Sequence, residues 1–274
     1  MKLIPLFLLV GLLAVSGWAW IVEPYSTELV KKAEAGDVVA QLNLGYFYSK
    51  GKYVTKDAKE GVRWYTKAAE QGNMQAQWTL AGCYEFGKGV TQDYKEAVKW
   101  YTKIAEQGQM DGGPDVPKDL PRIAQYRVGK CYEDAKDEKE AVKWYTKSAE
   151  QGQKDAQYYL GGCYYSGKGV DKDEKEAVRW YTKAAEQGFD LAQFSLGSCY
   201  EFGTGVTQDY KEAVKWYTKS AEQGLHLSYY FLGGCYLNGK GVAQDYKEAR
   251  KWYTKAAEQG NQEAEKQLEL LKSK

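Results

Sequence analysis

Apolar residues recur along the chain with the period of an α-helix, in two alternating patterns. One pattern spaces alanine, leucine and tyrosine four residues apart, as at Ala156, Leu160 and Tyr164. The other occupies the first, fourth, eighth and ninth positions of segment 97–105. Because successive helical residues are separated by about 100°, each pattern falls on one face of a helix. The sequence therefore predicts an all-α chain in which two kinds of amphipathic helix alternate.

The two helices form a repeat that is marked by the tetrapeptide W-Y-T-K. The tetrapeptide occurs six times, at steps of 36, 44, 36, 36 and 36 residues, and self-similarity of this kind indicates a repeat architecture. Each copy runs on into A-E-Q-G, whose glycine suits the left-handed position after a helix. The units that end at this glycine are residues 37–72, 73–108, 109–152, 153–188, 189–224 and 225–260. Capping helices are predicted at 23–36 and 261–274.

The segment GCYEFGKGV (82–90) looks like a phosphate-binding loop but has the wrong context. The same sequence pattern recurs as GCYYSGKGV (162–170) and GCYLNGKGV (234–242). A P-loop follows a strand and carries Ser or Thr after its lysine, whereas here a helix precedes the loop and glycine follows the lysine. The glycines instead indicate a reversal between the two helices of a unit. No nucleotide and no other cofactor is expected.

These residues resemble the Sel-one-like repeat family of exported bacterial proteins, a relative of the tetratricopeptide repeat. The fourth unit matches the family pattern at Ala156, Leu160, Gly161, Tyr164, Gly167, Gly169, Val170, Asp173, Ala177, Trp180, Lys183, Ala184, Ala185 and Gly188. The resemblance covers residues 37–260. It implies a right-handed α-solenoid, a superhelix of antiparallel helix pairs. It also implies a non-enzymatic scaffold that binds a protein or peptide partner on its concave face.

A row of rings on the first helices is the candidate partner-binding surface. Five residues before the cysteine of each unit stand Trp78, Tyr126, Tyr158, Phe194 and Tyr230. Two residues after that cysteine stand Glu85, Glu133, Tyr165 and Glu201. By the resemblance, this side of the first helix lines the groove, and aromatic residues are favoured anchors at interfaces. The other interpretation is that the rings pack between neighbouring first helices, and one ring can do both.

The third unit carries an insertion at 110–121 and lacks four residues at its turn. Three prolines, Pro114, Pro117 and Pro121, predict that the insertion is not helical. It is either a loop specific to a partner, a hinge, or a tolerated surface insertion.

One cysteine stands at the same position in each of five units. These are Cys83, Cys131, Cys163, Cys199 and Cys235. Because packed helices lie about 8–10 Å apart, equivalent cysteines of successive units are too far apart for a disulfide. We expect five free, buried thiols and no metal site.

Residues 1–22 differ from the rest of the chain. Lys2 precedes an uncharged run at 3–22, which fits a secretory signal. Its length also suffices for a retained anchor. We expect export to the periplasm or cell envelope, with secretion and membrane anchoring both open, and membrane contact only if the run is retained.

Charge and candidate chemistry exclude several function classes. The chain has 38 Lys plus Arg and 37 Asp plus Glu, which gives no electrostatic reason to expect nucleic acid. Its one histidine leaves few routes to acid–base catalysis. Ser49 and Lys52 form S-x-x-K, but the companion motifs S-D-N and K-T-G of penicillin-recognising enzymes do not occur. No catalytic residue is therefore predicted. The alternatives are an exported surface or host-contact protein that uses its outer face, and a β-lactamase-like hydrolase.

Overall fold

A computed structural model describes residues 24–107 and 117–272. The predicted signal or anchor at 1–22 and the first part of the insertion lie outside the described residues. None of the described helices combines the length and apolar character that crossing a bilayer requires.

The described residues form fourteen α-helices and no strand. In chain order they are α1 (Thr27–Glu34), α2 (Val38–Lys50), α3 (Ala58–Glu70), α4 (Met74–Phe86), α5 (Tyr94–Gln107), α6 (Leu120–Asp134), α7 (Glu138–Glu150), α8 (Lys154–Ser166), α9 (Glu174–Glu186), α10 (Asp190–Phe202), α11 (Tyr210–Glu222), α12 (His226–Asn238), α13 (Tyr246–Glu258) and α14 (Gln262–Leu271).

The chain divides within α7 into two compact units, Met1–Lys147 and Ser148–Lys274. In the first unit, consecutive helices pack against each other from α1 as far as α6. In the second unit, the same holds from α8 to α14. The prediction of an all-α solenoid built from antiparallel helix pairs is confirmed.

Short polar signals in the sequence set the helix ends. Asp209 Oδ1 accepts hydrogen bonds from the backbone N–H groups of Lys211 and Glu212, at 2.9 and 3.1 Å, and so caps α11. The equivalent aspartates Asp93 and Asp245 cap their helices in the same way. At the other end of a first helix, Gly203 adopts the left-handed conformation and donates its N–H to the carbonyl of Cys199.

The core of each repeat is built around the tyrosine of W-Y-T-K. Tyr217 of α11 is fully buried, and its ring lies against the backbone of α10 at Gly197. A Cβ atom at Gly197 would come within 2.7 Å of the Tyr217 ring, so the pair approaches only because that position has no side chain. The same glycine–tyrosine approach recurs at Gly45–Tyr65, Gly129–Tyr145, Gly161–Tyr181 and Gly233–Tyr253. The second repeat has Ala81 instead.

The lysine of W-Y-T-K covers the tryptophan of the same motif. Lys219 Nζ lies 4.3 Å from the centroid of the Trp216 ring, and Lys183 lies 3.9 Å from that of Trp180. Both tryptophans are buried. The lysine therefore covers the tryptophan ring on the outer side of the second helix through a cation–π contact.

The G-x-G turns of the second, fifth and sixth repeats contact the repeat before them. Gly205 has φ +70°, and a Cβ there would lie 2.1 Å from the carbonyl oxygen of Glu174, at the start of α9. Gly241 stands in the same relation to the carbonyl oxygen of Tyr210. The glycine is thus required by contact between repeats, and the turn follows a helix, as predicted. The third repeat lacks this turn, and Lys136 takes the positive φ, at 64°.

The end of the insertion is helical. Leu120 and Pro121 open α6, and Leu120 is fully buried. The prediction of a non-helical segment as far as Pro121 is wrong for these two residues. A proline is tolerated in the first turn because the N–H that it lacks has no partner within the helix there.

We expect Gly205→Ala to destabilise the protein by about 3 kcal/mol, since it adds left-handed strain to a clash with backbone. Gly224→Ala is the matched control, because Gly224 also has a positive φ but has nothing within 4 Å of its Cβ position. It should cost only about 1–2 kcal/mol. Urea unfolding followed by circular dichroism measures both, and equal losses would contradict a tight contact at Gly205.

Candidate functional site

The five predicted rings, called the ring row below, lie against the core tyrosines of their own repeats. The distances between ring centroids are 5.0 Å for Trp78–Tyr101, 6.1 Å for Tyr126–Tyr145, 5.8 Å for Tyr158–Tyr181, 5.6 Å for Phe194–Tyr217 and 5.6 Å for Tyr230–Tyr253. Each ring is therefore held in place by the second helix of its repeat. A helical wheel predicts which face of the first helix carries the ring, but not that the core tyrosine of the second helix packs against it.

Exposure differs along the ring row. Trp78 is only 7% exposed and belongs to the core, whereas the other four rings are half-buried. Phe194 also meets Phe231 of the next first helix, with centroids 5.2 Å apart. Packing between first helices, the second interpretation of the row, thus occurs at this junction. Half-buried rings of this kind keep part of their surface available to a partner.

Three of the four residues predicted beside the ring row accept hydrogen bonds from core tyrosines. The hydroxyls of Tyr101, Tyr145 and Tyr217 donate to Glu85, Glu133 and Glu201, at 2.9, 2.9 and 2.8 Å. In the fourth repeat the position holds Tyr165, which is 46% exposed. The structure therefore places a carboxylate or a ring at the edge of the row.

Glu85 lies inside the first unit rather than on its surface. It is 3% exposed, and besides Tyr101 it pairs with the guanidinium of Arg127. Glu85 was predicted to lie on the partner-binding surface, but it is buried in this structure. Arg127 was missed by sequence reasoning, although it is the one arginine at a position that holds Thr79, Tyr159, Ser195 or Phe231 in other repeats.

Burial raises the pKa of the core tyrosines. For Tyr217, burial is the main cause and the Glu201 carboxylate adds to it. In Tyr253 the pKa rises to about 12, also mainly through burial. These hydroxyls therefore stay protonated and remain donors near neutral pH.

A cavity of about 430 Å³ opens between the first and second repeats. Its apolar wall includes Tyr65, Trp78 and Phe86, and Ser49 and Thr79 contribute small polar side chains. Three lysines also line it, and no Asp or Glu does. Sequence reasoning did not find this cavity.

All five cysteines are free and buried, as predicted. Burial raises the pKa of Cys83 and Cys199 to about 11 and that of Cys235 to about 12. A thiol with such a pKa is almost wholly protonated at neutral pH and is a poor nucleophile. The cysteines therefore serve as small apolar core residues.

The model of the family described as Sel1 repeat matches six segments of the chain. They are residues 38–73, 75–109, 122–153, 154–189, 190–225 and 226–261. These matches confirm the resemblance inferred from the sequence. No curated protein matches the chain.

Solved structures include two with substantial sequence identity to this chain. A protective antigen with an SLR fold from uropathogenic Escherichia coli is 38% identical, with a TM-score of 0.76, over 90% of this chain and 51% of that one. A Sel1 repeat protein from Oxalobacter formigenes is 32% identical, with a TM-score of 0.74, over 95% of this chain and 73% of that one. The chain thus spans about half of the E. coli antigen.

Tyr217→Phe should destabilise the protein by about 1.5–3 kcal/mol, because Glu201 loses a hydrogen bond in a partly buried site. Tyr253→Phe is the matched control, since Leu237 stands where Glu201 would be and has no oxygen in its side chain. The control should change stability by less than about 0.5 kcal/mol. Thermal and urea unfolding compare the two, and similar losses would contradict a specific role for the hydroxyl.

Stability should fall as pH rises from 9 to 11, partly because of the buried thiols. A thiol of ordinary pKa 9.0 ionises in the unfolded chain in this window, while folded Cys199, at about 11, stays neutral. Its contribution is thus complete below pH 9 and is lost as pH rises.

Cys199→Ala should therefore flatten the decline, by up to about 1.4 kcal/mol per pH unit. Urea unfolding of both proteins at pH 7, 9, 10 and 11 measures the difference. The value at pH 7 serves as the control for lost packing, and parallel curves above pH 9 would refute the prediction.

Proposed function

The chain belongs to the Sel1 repeat family, and we propose that it binds a protein or peptide partner through the concave side of its helix pairs, where the ring row lies. Sel1 repeat proteins are protein-interaction scaffolds. The family and its solved relatives are generally non-enzymatic. The proposal assigns partner contact to the half-buried rings and to Tyr165.

The observation that carries the proposal is the pairing of each ring with a buried tyrosine. Tyr158 and Tyr230 stand 5.8 and 5.6 Å from rings that are themselves fixed against neighbouring helices. A ring held in this way loses little conformational freedom when a partner covers it. Aromatic surface that is ordered in advance is well suited to anchor a protein or peptide partner.

Charged side chains on the outer face of the second helices form ion pairs with one another. Lys215 pairs with Glu212 at 2.9 Å and Lys251 with Glu248 at 3.0 Å, and both pairs recur at the same positions of the helix. These are exposed pairs one turn apart, which serve mainly solubility. They leave the outer face with less to offer a partner than the ring row.

A surface or host-contact role is the second candidate. The E. coli relative is a protective antigen and is 38% identical over 90% of this chain. With the uncharged run at 3–22, that likeness supports export to the cell envelope. In this role the outer face of the second helices would meet the partner.

Photo-crosslinking in the native cells separates the two candidates without removing a ring. A p-benzoylphenylalanine is placed at Tyr158, Tyr165 or Tyr230, and, as matched controls, at Lys99, Lys215 or Lys251 of the outer face. We expect one common adduct from the first set and none from the second. Adducts from the control positions alone would refute the proposal and favour the second candidate.

A further inference from the structure

We propose that the cavity between the first and second repeats, called the anchor cavity below, binds a partner segment in which one large apolar side chain is flanked by acidic residues. The inference rests on the proposed function, because it gives the chemistry of the partner at one end of the ring row. It concerns the first compact unit alone.

The anchor cavity exists because two small residues stand where other repeats have bulk. Ser49 occupies the position of Glu85 and Glu201, and Thr79 occupies that of Arg127 and Phe231. Between the second and third repeats, the Glu85–Arg127 ion pair takes up these positions.

Between the fifth and sixth repeats, an aromatic ring takes up the same space. Phe231 packs on Phe194 and Tyr217, with centroids 5.2 and 5.4 Å away. The first junction has neither an ion pair nor a ring at these positions. The opening is therefore a property of Ser49 and Thr79 and not of the repeat as such.

The interior of the anchor cavity is apolar and partly exposed. Trp78 and Tyr65 form its wall, and Phe86, which is 40% exposed, stands beside it. A volume of about 430 Å³ lies within the range of small-ligand sites and admits a large side chain with its adjoining backbone. Covering Phe86 would remove apolar surface from water.

Three lysines give the anchor cavity a positive charge without a matching acid. Lys50 ends α2, Lys56 precedes α3, and Lys88 follows α4. Among the described residues none of the three forms an ion pair with a carboxylate, in contrast to Lys99, Lys215 and Lys251. Lys88 instead lies over the Phe86 ring, 5.2 Å from its centroid.

The distribution of these charges favours a peptide over a single-headed anion. Lys50 and Lys56 flank the connection between α2 and α3, and Lys88 follows α4, so the cavity offers three positive charges from two connections of the chain. A fatty acid carries one carboxylate and could satisfy only part of the set. The nearest acidic residue in sequence, Asp57, is engaged in capping α3 through the N–H groups of Lys59 and Glu60.

The test uses fluorescein-labelled nonapeptides and fluorescence polarisation at low salt. The probe has a central tryptophan with four glutamates on each side. One comparison peptide has a central alanine, and the other has lysines in place of the glutamates. We expect the probe to bind the full chain at least tenfold more tightly than either comparison peptide, and to weaken as salt is added.

One variant fills the anchor cavity, and a second variant reverses its charge. The charge-neutral pair Ser49→Glu with Thr79→Arg rebuilds the Glu85–Arg127 arrangement and fills the space. The triple change of Lys50, Lys56 and Lys88 to Glu reverses its charge. Each variant should weaken binding of the probe at least tenfold.

Matched controls carry the same changes elsewhere. Thr207→Arg with Ala243→Glu introduces the same two charged side chains at exposed turn positions outside the ring row. The change of Lys95, Lys211 and Lys247 to Glu alters the net charge equally on the exposed starts of second helices. Both controls should keep affinity within twofold, with unfolding curves confirming that every variant is folded.

Three results would overturn the inference. These are equal binding of the central-alanine peptide, unchanged binding by the filled variant, or saturation by dodecanoate with no binding of the probe. The crosslinking at Tyr158, Tyr165 and Tyr230 is independent of the anchor cavity. A common adduct there, together with failure of the probe, would leave the proposed scaffold role standing and refute only the acidic-anchor chemistry.

Discussion

The close approach of a core tyrosine to a bare glycine on the facing helix is the constraint from which the repeat is built. Tyr217 reaches the backbone of α10 only because Gly197 has no Cβ. This contact limits the distance between the two helices, and the tyrosine ring is the surface against which the ring row packs. Its hydroxyl reaches Glu201, so the same side chain also orders the edge of the candidate binding face. The same tyrosine thus contributes both to the core and to the support of the candidate binding surface.

Differences between repeats stand out because this frame recurs in five of the six repeats, with Ala81 in place of the glycine in the second. At the first junction, Ser49 and Thr79 stand where the second junction has Glu85 and Arg127, and a cavity lies between the repeats. A repeat protein can therefore acquire a site by losing side chains at one junction. The three lysines around that space matter because no acidic side chain lines it with them.

The sequence was sufficient for features that depend on one helix or one turn. Helical period, the aspartate caps and the buried free cysteines could each be read from local spacing, and the family resemblance added the pairing of helices. Features that depend on the register between helices could not be read in this way. A helical wheel shows that Trp78 and Glu85 share a face, but not that Tyr101 lies opposite and buries them. Comparing the repeats position by position does reveal Ser49 and Thr79 as small exceptions, and that was the available signal for the cavity.

The turn glycines have a consequence for how such a chain can change its length. Gly205 meets the start of α9 in the same way as Gly241 meets the start of α11. At this turn, the backbone that a second helix offers to the following repeat is the same in both cases. Duplication or loss of a whole module that carries the turn therefore preserves this contact, whereas a fractional insertion has to be looped out of the stack.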